Sequence, residues 1–406
     1  MRVVHLSDHY LPTLGGIETH VGALAQRQAH AGDDVTVLTS TPTTADGRWD
    51  RGRPGPRGDR PGVRWDDRER VEPGPVRVVR RRSALDGPTL HPDRVDLVHA
   101  HVSVVSTFAA PLAAAAAHDG IPTVVTVHSL WDGTGPTARL AAALTGLRRA
   151  PVTWTAVSEV AAEQVRRRLP AGTEVAVLPN AVSVAPRAAT PVRGDDEPVR
   201  LVSTMRLARR KRPEALLDVV AQVCERSTRP VTLTLVGDGP LRRRVEARAT
   251  RLGLDDVVTV TGRLAPGEVQ RRLAEADVYV APAVLESFGL APLEARCVGL
   301  PVVGRTGTGL AEFVVDGRHG LLVPSDAAMV DALVRLVEDP ALRHRMAEHD
   351  RTTPSAHTWE AALARHEATY AATRARRATR AAGRSGEEAR SDRRTTRAPG
   401  RRAGTP

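Results

Sequence analysis

Short runs rich in Val, Leu and Thr alternate with amphipathic runs along nearly the whole chain, and that alternation leaves few folds open. VVHL (3–6), DVTVLT (34–39), VRVVR (76–80), DLVHA (96–100), TVVTVH (123–128), TWTAVS (153–158) and EVAVLP (174–179) read as strands. IETHVGALAQRQAHAG (17–32) and VVSTFAAPLAAAAAHDG (104–120) read as helices. The alternation restarts after a polar, Pro-rich stretch. VRLVSTM (199–205), VTLTLVG (231–237), VVTVTG (257–262), VYVAP (278–282), LPVVG (300–304) and GLLVP (320–324) read as strands, with helices over 214–226, 241–253, 267–276 and around 292–299. Strands alternating with helices build parallel βαβ units, because a parallel neighbour is reached only by a crossover. The expectation is α/β, with two Rossmann-like doubly wound domains facing a central cleft.

The expected boundaries follow from composition. Residues 1–183 form the first domain, interrupted at 45–75 by a Gly-, Pro-, Arg- and Asp-rich stretch expected to be a flexible loop. Residues 184–198 are the linker, 199–355 the second domain and 356–372 a terminal helix expected to pack back on the first domain. Residues 373–406 are expected to be a disordered basic tail, since large apolar residues stop at Tyr370.

The net charge of +11 looks at first like a nucleic-acid signal. Its distribution argues otherwise: residues 365–406 hold twelve arginines against four acids, so the folded body is only mildly basic, and no nucleic-acid partner is expected. No run of 18 apolar residues exists, and the chain opens with a strand rather than a leader peptide, so a cytoplasmic protein is expected. A basic tail could bring it to the inner face of a membrane. Cys224 and Cys297 lack metal or disulfide spacing and read as buried small residues. Of 58 Lys and Arg residues, one is lysine, Lys211. In a chain that avoids lysine, the exception reads as a site requiring a compact point charge.

The segment PAVLESFGLAPLEA (282–295) carries the most chemistry. A buried strand ends at Pro282 and a helix starts near Pro292, with Glu286, Phe288 and Gly289 between and Glu294 beyond. Strand C-termini and helix N-termini are where open α/β sheets bind ligands, because free N–H groups and the helix dipole favour anions. Carboxylates accept hydrogen bonds from hydroxyls. Phosphates and sugar hydroxyls together point to a nucleotide sugar. In the first half, Ser7, Asp8, His99, His101, His128, Ser158 and Asn180 recur where strands end. Each alone could satisfy loop backbone; as a set, and for His128 above all, they mark a crevice.

With YLPTLGGIETHV, DLVHAH, PTVVTVHSL, TAVSE, VLPNAV, MRLARRKRP, LVGDGP, ADVYVAPAVLESFGLAPLEA and AEFVVDGRHGLLV in order from residue 1 to about 370, the chain resembles a retaining glycosyltransferase of family 4, whose fold is GT-B. The resemblance implies that Gly15 and Gly16 form a turn where backbone meets phosphate. It implies that Arg206 and Lys211 neutralise the donor diphosphate, that Glu294 binds ribose hydroxyls, and that Glu286 holds hydroxyls of the donor sugar. Ser287, Phe288, Gly289 and Leu290 would line the donor beside Glu286, and Gly237 and Asp238 would turn near the nucleotide, although a plain turn reads equally well there. His128 would approach the sugar from the first domain. His128, Glu286, Arg206 and Lys211 are thus the implied catalytic set, with no metal and no cofactor beyond the nucleotide sugar. The acceptor, a sugar, glycan or lipid, stays open, as do the base and the sugar; mannose and glucose, from GDP or UDP, are the expected kinds. Met205 and Ala181 stand where the family usually has Gly, and Arg305 and Thr308 are less typical.

Two other readings compete. One is a phosphorylase-like enzyme carrying pyridoxal phosphate on Lys211. The other is a non-enzymatic binder of anionic surfaces through the tail. A nicotinamide enzyme is disfavoured, because the glycines at 304, 307 and 309 do not make GxGxxG.

Overall fold

In a computed structural model of the chain, the described residues are 1–13, 15–42, 70–72, 74–84, 90–130, 146–184, 186, 194 and 197–395. The first sheet comprises β1 (Arg2–Ser7), β2 (Asp34–Thr39), β3 (Arg70–Glu72), β4 (Val76–Arg80), β5 (Leu97–Val102), β6 (Thr123–Val127), β7 (Thr153–Ala156) and β8 (Val175–Val177). The second comprises β9 (Val199–Thr204), β10 (Val231–Val236), β11 (Val258–Gly262), β12 (Val278–Ala281), β13 (Val302–Arg305) and β14 (Gly320–Val323). The orders are β3-β4-β2-β1-β5-β6-β7-β8 and β11-β10-β9-β12-β13-β14. All pairings are parallel except β3 with β4.

In each sheet the first strand lies between the second and a later one, so strand order reverses at β1/β5 and at β9/β12. These are the switch points where crevices open beyond strand C-termini. Strands such as β5 (LVHAHV) are buried along their length, as a parallel sheet covered on both faces requires. Val98, Ala100 and Val102 face one side, into a core with the alanines of helix Ala109–His118. His99 and His101 occupy the opposite face.

Three helices, Glu159–Arg166, Asp326–Glu338 and Pro340–Thr352, add to the elements expected from the sequence. Two expectations need correction. The stretch 45–75 is not loop throughout: Arg70–Glu72 pairs antiparallel with β4, Val71 opposite Val79, which covers a sheet edge; residues 45–69 and 73 lie outside the described residues. Most of the expected linker also lies outside them. The tail is not disordered from 373: one helix runs Trp359–Thr395, because Ala, Arg and Glu are strong helix formers. Residues 396–406 lie outside the described residues.

The long helix docks on the first sheet. Tyr370 is buried among Val3, Leu97 and Val124; Thr373 Oγ1 donates to Thr153 Oγ1 at 2.9 Å, and Arg377 Nε donates to the Gly120 carbonyl at 2.9 Å. No helix among the described residues is long and apolar enough to cross a membrane.

Candidate active site

The second-domain half of the site is built at β9/β12. Beyond β9, Met205–Leu207 is clamped from behind by the turn Gly237–Gly239. Leu207 N donates to Asp238 O at 3.0 Å, and a Cβ on Gly237 (φ +137°) would lie 1.9 Å from Met205 O. Gly237 therefore serves close backbone packing. Asp238 Oδ1 accepts from Gly239 N at 2.7 Å, as in an ordinary turn. The clamp presents Arg206, which is exposed. Lys211 follows in a short 3-10 turn, and its Nζ donates to Glu286 Oε2.

Two residues the sequence reading did not single out hold this arrangement. Tyr279 on β12 is buried, and its hydroxyl accepts from Thr204 N at 3.2 Å and donates to Thr204 O at 3.1 Å, pinning the end of β9. Arg212 takes the left-handed conformation (φ 56°), which costs a non-glycine residue free energy. Its guanidinium forks onto Asp326 at 2.8 and 2.6 Å and onto the Pro282 carbonyl at 3.1 Å, fixing the turn that carries Lys211.

Beyond β12 the segment 286–289 is braced by Gly309, whose N donates to Glu286 O at 2.8 Å; a Cβ there would lie 2.2 Å from Ser287 O. Phe288 is buried against Phe313 and His357, so it contributes backbone rather than its ring. Gly289 (φ +98°) starts helix Leu290–Val298 with no side-chain cap. Glu294 lies in that helix, half-buried, and desolvation pushes its carboxyl up to about 7.

The first domain contributes the opposite wall. Helix Gly16–His30 also begins without a side-chain cap, at Gly15. A Cβ on Gly16 would sit 3.6 Å from Leu290 Cδ1, so two uncapped helix N-termini meet across the cleft. Each presents its first-turn N–H groups and the positive end of a dipole, with Glu18 in the first turn of the helix that begins at Gly16. His128 follows β6; its carbonyl accepts from Ser287 Oγ at 2.6 Å, and the Leu130 carbonyl accepts from Arg210 Nη2 at 3.3 Å. Glu312 Oε1 crosses the same boundary to accept from Glu159 N at 2.6 Å, at the start of helix Glu159–Arg166. Buried polar atoms without a hydrogen-bond partner among the described residues include Ser129 Oγ, Asn180 Oδ1 and Thr204 Oγ1, each at the C-terminal end of a strand.

A chain with two facing Rossmann-like sheets and this cleft has known relatives. Residues 14–185 match the family described as Glycosyltransferase Family 4, and residues 190–353 match Glycosyl transferases group 1. The chain belongs to the GT-B glycosyltransferases. It is 32% identical over 164 residues to alpha-D-kanosaminyltransferase of Streptomyces kanamyceticus, a match taking in 40% of this chain and 42% of that relative. It is 25% identical to a phosphatidylinositol N-acetylglucosaminyltransferase subunit of Arabidopsis thaliana over 386 residues, 91% of this chain and 81% of that one. The crystal structure of Anabaena Alr3699/HepE in complex with UDP superposes with a TM-score of 0.68 at 18% identity, over 92% of this chain and 100% of that one; this likeness concerns the fold.

In this glycosyltransferase the residues singled out in the sequence fall into two groups. Gly16 and Leu290, and Ser287 and the His128 carbonyl, approach each other across the domain boundary, and Lys211 pairs with Glu286 on the second-domain side. Ser7, Asp8 and Ser158 instead serve local structure. Asp8 caps helix Ala109–His118, accepting from Phe108 N at 2.9 Å, and Ser158 caps Glu159–Arg166, accepting from Ala161 N at 3.1 Å. His99 and His101, expected at a strand end, lie inside β5 and are fully covered.

Proposed function

We propose that this glycosyltransferase moves a hexose from a nucleotide-diphosphate sugar to an acceptor with retention of anomeric configuration and without a metal. The observation that carries the reading is the meeting of two uncapped helix N-termini, at Gly15–Gly16 and Gly289–Leu290, with Arg206 and Lys211 on the adjoining turn. A diphosphate set there is neutralised by dipoles and side chains, leaving a metal no charge to offset. Glu294 accepts from ribose hydroxyls and Glu286 from the sugar. His128 and Ser287 close the site from opposite domains. As the glycosidic bond to phosphate breaks, charge grows on the leaving oxygen, where Arg206, Lys211 and the helix N-termini stabilise it. The departing phosphate then takes the acceptor's proton on the face where the new bond forms.

The Anabaena neighbour holds UDP, which supports a nucleotide donor of that kind; a GDP sugar uses the same phosphate and ribose contacts. The acceptor is a sugar, glycan or lipid bound by the first domain. A cytoplasmic enzyme building cell-surface glycans, with its basic C-terminal segment against the membrane, fits this reading.

The test is a thermal-shift screen with UDP, GDP, ADP and their sugars in the presence of EDTA. A ligand at 100 times its Kd stabilises by about 2.7 kcal/mol, a rise of about 3 to 4 °C for a chain this long. One nucleotide class is expected to produce that shift. A flat response to all of them would sink the proposal.

A further inference from the structure

The first domain and the C-terminal helix docked on it bury six imidazoles, His5, His20, His99, His101, His128 and, on the helix, His366, and five groups link four of them to one another and to that helix. Sheet register brings them together: His5 opposes His99 on neighbouring strands, and Thr126 is opposite both His101 and Thr155. His128 Nε2 meets His101 Nδ1 at 3.0 Å, and His101 Nε2 meets His5 Nδ1 at 2.9 Å. His5 Nε2 meets Gln28 Oε1 at 2.7 Å, and Gln28 Nε2 meets the Tyr370 hydroxyl at 3.2 Å. That hydroxyl meets His99 Nδ1 at 2.8 Å, His99 Nε2 meets Thr126 Oγ1 at 2.7 Å, and Thr126 Oγ1 meets Thr155 Oγ1 at 2.6 Å. The last link is Thr155 Oγ1 to the Val125 carbonyl at 3.1 Å.

A carbonyl only accepts, and this fixes the direction of the whole chain. Thr155 spends its one proton on Val125 O, so Thr126 donates to Thr155. His99 must then carry its proton on Nε2 and accept at Nδ1 from Tyr370. Tyr370, having donated, accepts from the Gln28 amide, whose oxygen therefore faces His5. His5, His101 and His128 follow in turn, each protonated on Nε2. The far end is a buried carbonyl with no further group to pass a proton to, so the chain fixes protons in place and exports none.

We propose that this relay, reaching from Val125 through Tyr370 of the C-terminal helix, locks His128 as a neutral Nε2–H imidazole, leaving Nδ1 to accept a hydrogen bond from a hydroxyl of the donor sugar. Gln28, Tyr370, His5, His99 and His101 are positioning residues. The inference about the sugar rests on the function proposed above; the tautomer does not. Burial favours neutral rings throughout: the imidazoles fall to about 4 for His5 and His366 and about 3 for His128, chiefly by desolvation, and desolvation likewise holds His20, His99 and His101 well below the usual range. The rings against His128 are the imidazoles of His20 and His101, with centroids at 5.9 and 5.2 Å, and Trp359 stacks in turn on His20. His5, His99 and His101 also lie close enough for a metal cage, with ligand atoms within 4.8 Å of one another. Every one of their six ring nitrogens is already hydrogen-bonded, which favours the relay.

The test is long-range proton–nitrogen NMR on full-length protein labelled at histidine, with the His128 signal assigned by His128→Gln. The relay requires an Nε2–H signal pattern for His128 that does not titrate between about pH 5 and about pH 8. Tyr370→Phe should mix the tautomers of His128, whereas Thr155→Ser, which keeps the hydroxyl, should not. Tyr370→Phe should also weaken the nucleotide sugar by about threefold to tenfold, the worth of one net hydrogen bond, while the nucleotide diphosphate alone binds as before. An Nδ1–H His128, a His128 that titrates near its ordinary value, or stoichiometric zinc shifting these signals would overturn the relay. Unmixed tautomers in Tyr370→Phe would overturn the part assigned to the C-terminal helix. If no nucleotide binds, the proposed function fails while the tautomer result still decides the relay; if the diphosphate and the sugar weaken equally, the sugar contact is refuted.

Discussion

Glu294→Gln is expected to abolish most donor binding while making the protein more stable at neutral pH. Glu294 is half-buried and desolvation raises its carboxyl to about 7, so holding it ionised is costly. Ribose hydroxyls repay that cost, and the charge-assisted bonds are worth about 1.5 to 3 kcal/mol, or roughly a 10- to 100-fold loss of affinity in the glutamine variant. The sign with pH follows. Between the ordinary value of 4.5 and about 7 the unfolded carboxyl is ionised while the folded one keeps its proton, so stability falls as pH rises through that window. The full effect is about 3 kcal/mol, present above about pH 7 and absent below about pH 4.5. Glu294→Gln removes it, so chemical denaturation at pH 8 should find the variant more stable than the parent, and near pH 4.5 the two should agree. Asp350, also raised to about 7 by burial, is common to both proteins and cancels. Donor affinity of the parent should drop as pH falls below about 7, and that of the variant should not. A variant that binds donor normally would remove Glu294 from the site.

Lys211→Ala should lower kcat by about 100- to 1000-fold, the loss seen when one group aimed at developing charge is removed. The ammonium sits on Glu286, with side-chain exposures of 36% and 14%, so the pair is open enough for a diphosphate to reach and too enclosed for bulk water to replace the cation. Removing the lysine also leaves Glu286 as an unpaired charge facing the phosphates. Lys211→Arg should rescue little, since a planar fork does not fit a turn built around a point charge. Because the chain has one lysine, amine acylation followed by mass spectrometry reads this position directly, and a bound donor should protect it. Unchanged acylation in saturating donor would place Lys211 outside the diphosphate site, and a pyridoxal absorbance lost in Lys211→Ala would favour the phosphorylase-like reading.

Much of the fold was legible because parallel strands buried on both faces are written as continuous Val-rich runs; Asp34–Thr39 and Val76–Arg80 match the expected limits residue for residue. The segment around Glu286 and Glu294 was legible because its strand, turn and helix start are contiguous. What depends on register was not. His5, His99 and Thr126 are far apart in sequence, and only the order β1-β5-β6 makes them neighbours. One signal was present: His99 and His101 alternate within an otherwise apolar strand, which puts both on one covered face with partners to find. Arg212 could not be singled out in the sequence, because nothing local reveals its partner Asp326, over a hundred residues away. The C-terminal helix was expected to end early, since composition reports lost core contacts but not the helix propensity that carries it on to Thr395.

The central claim is that the cleft recognises a diphosphate with helix N-termini, Arg206 and Lys211 in place of a metal. Isothermal titration of the full chain with a nucleoside diphosphate and with its nucleoside, each with EDTA and with magnesium, tests it most directly. The account predicts that the diphosphate binds at least about 100-fold more tightly than the nucleoside, and equally well in EDTA. Equal affinities, or binding that appears only with magnesium, would contradict it.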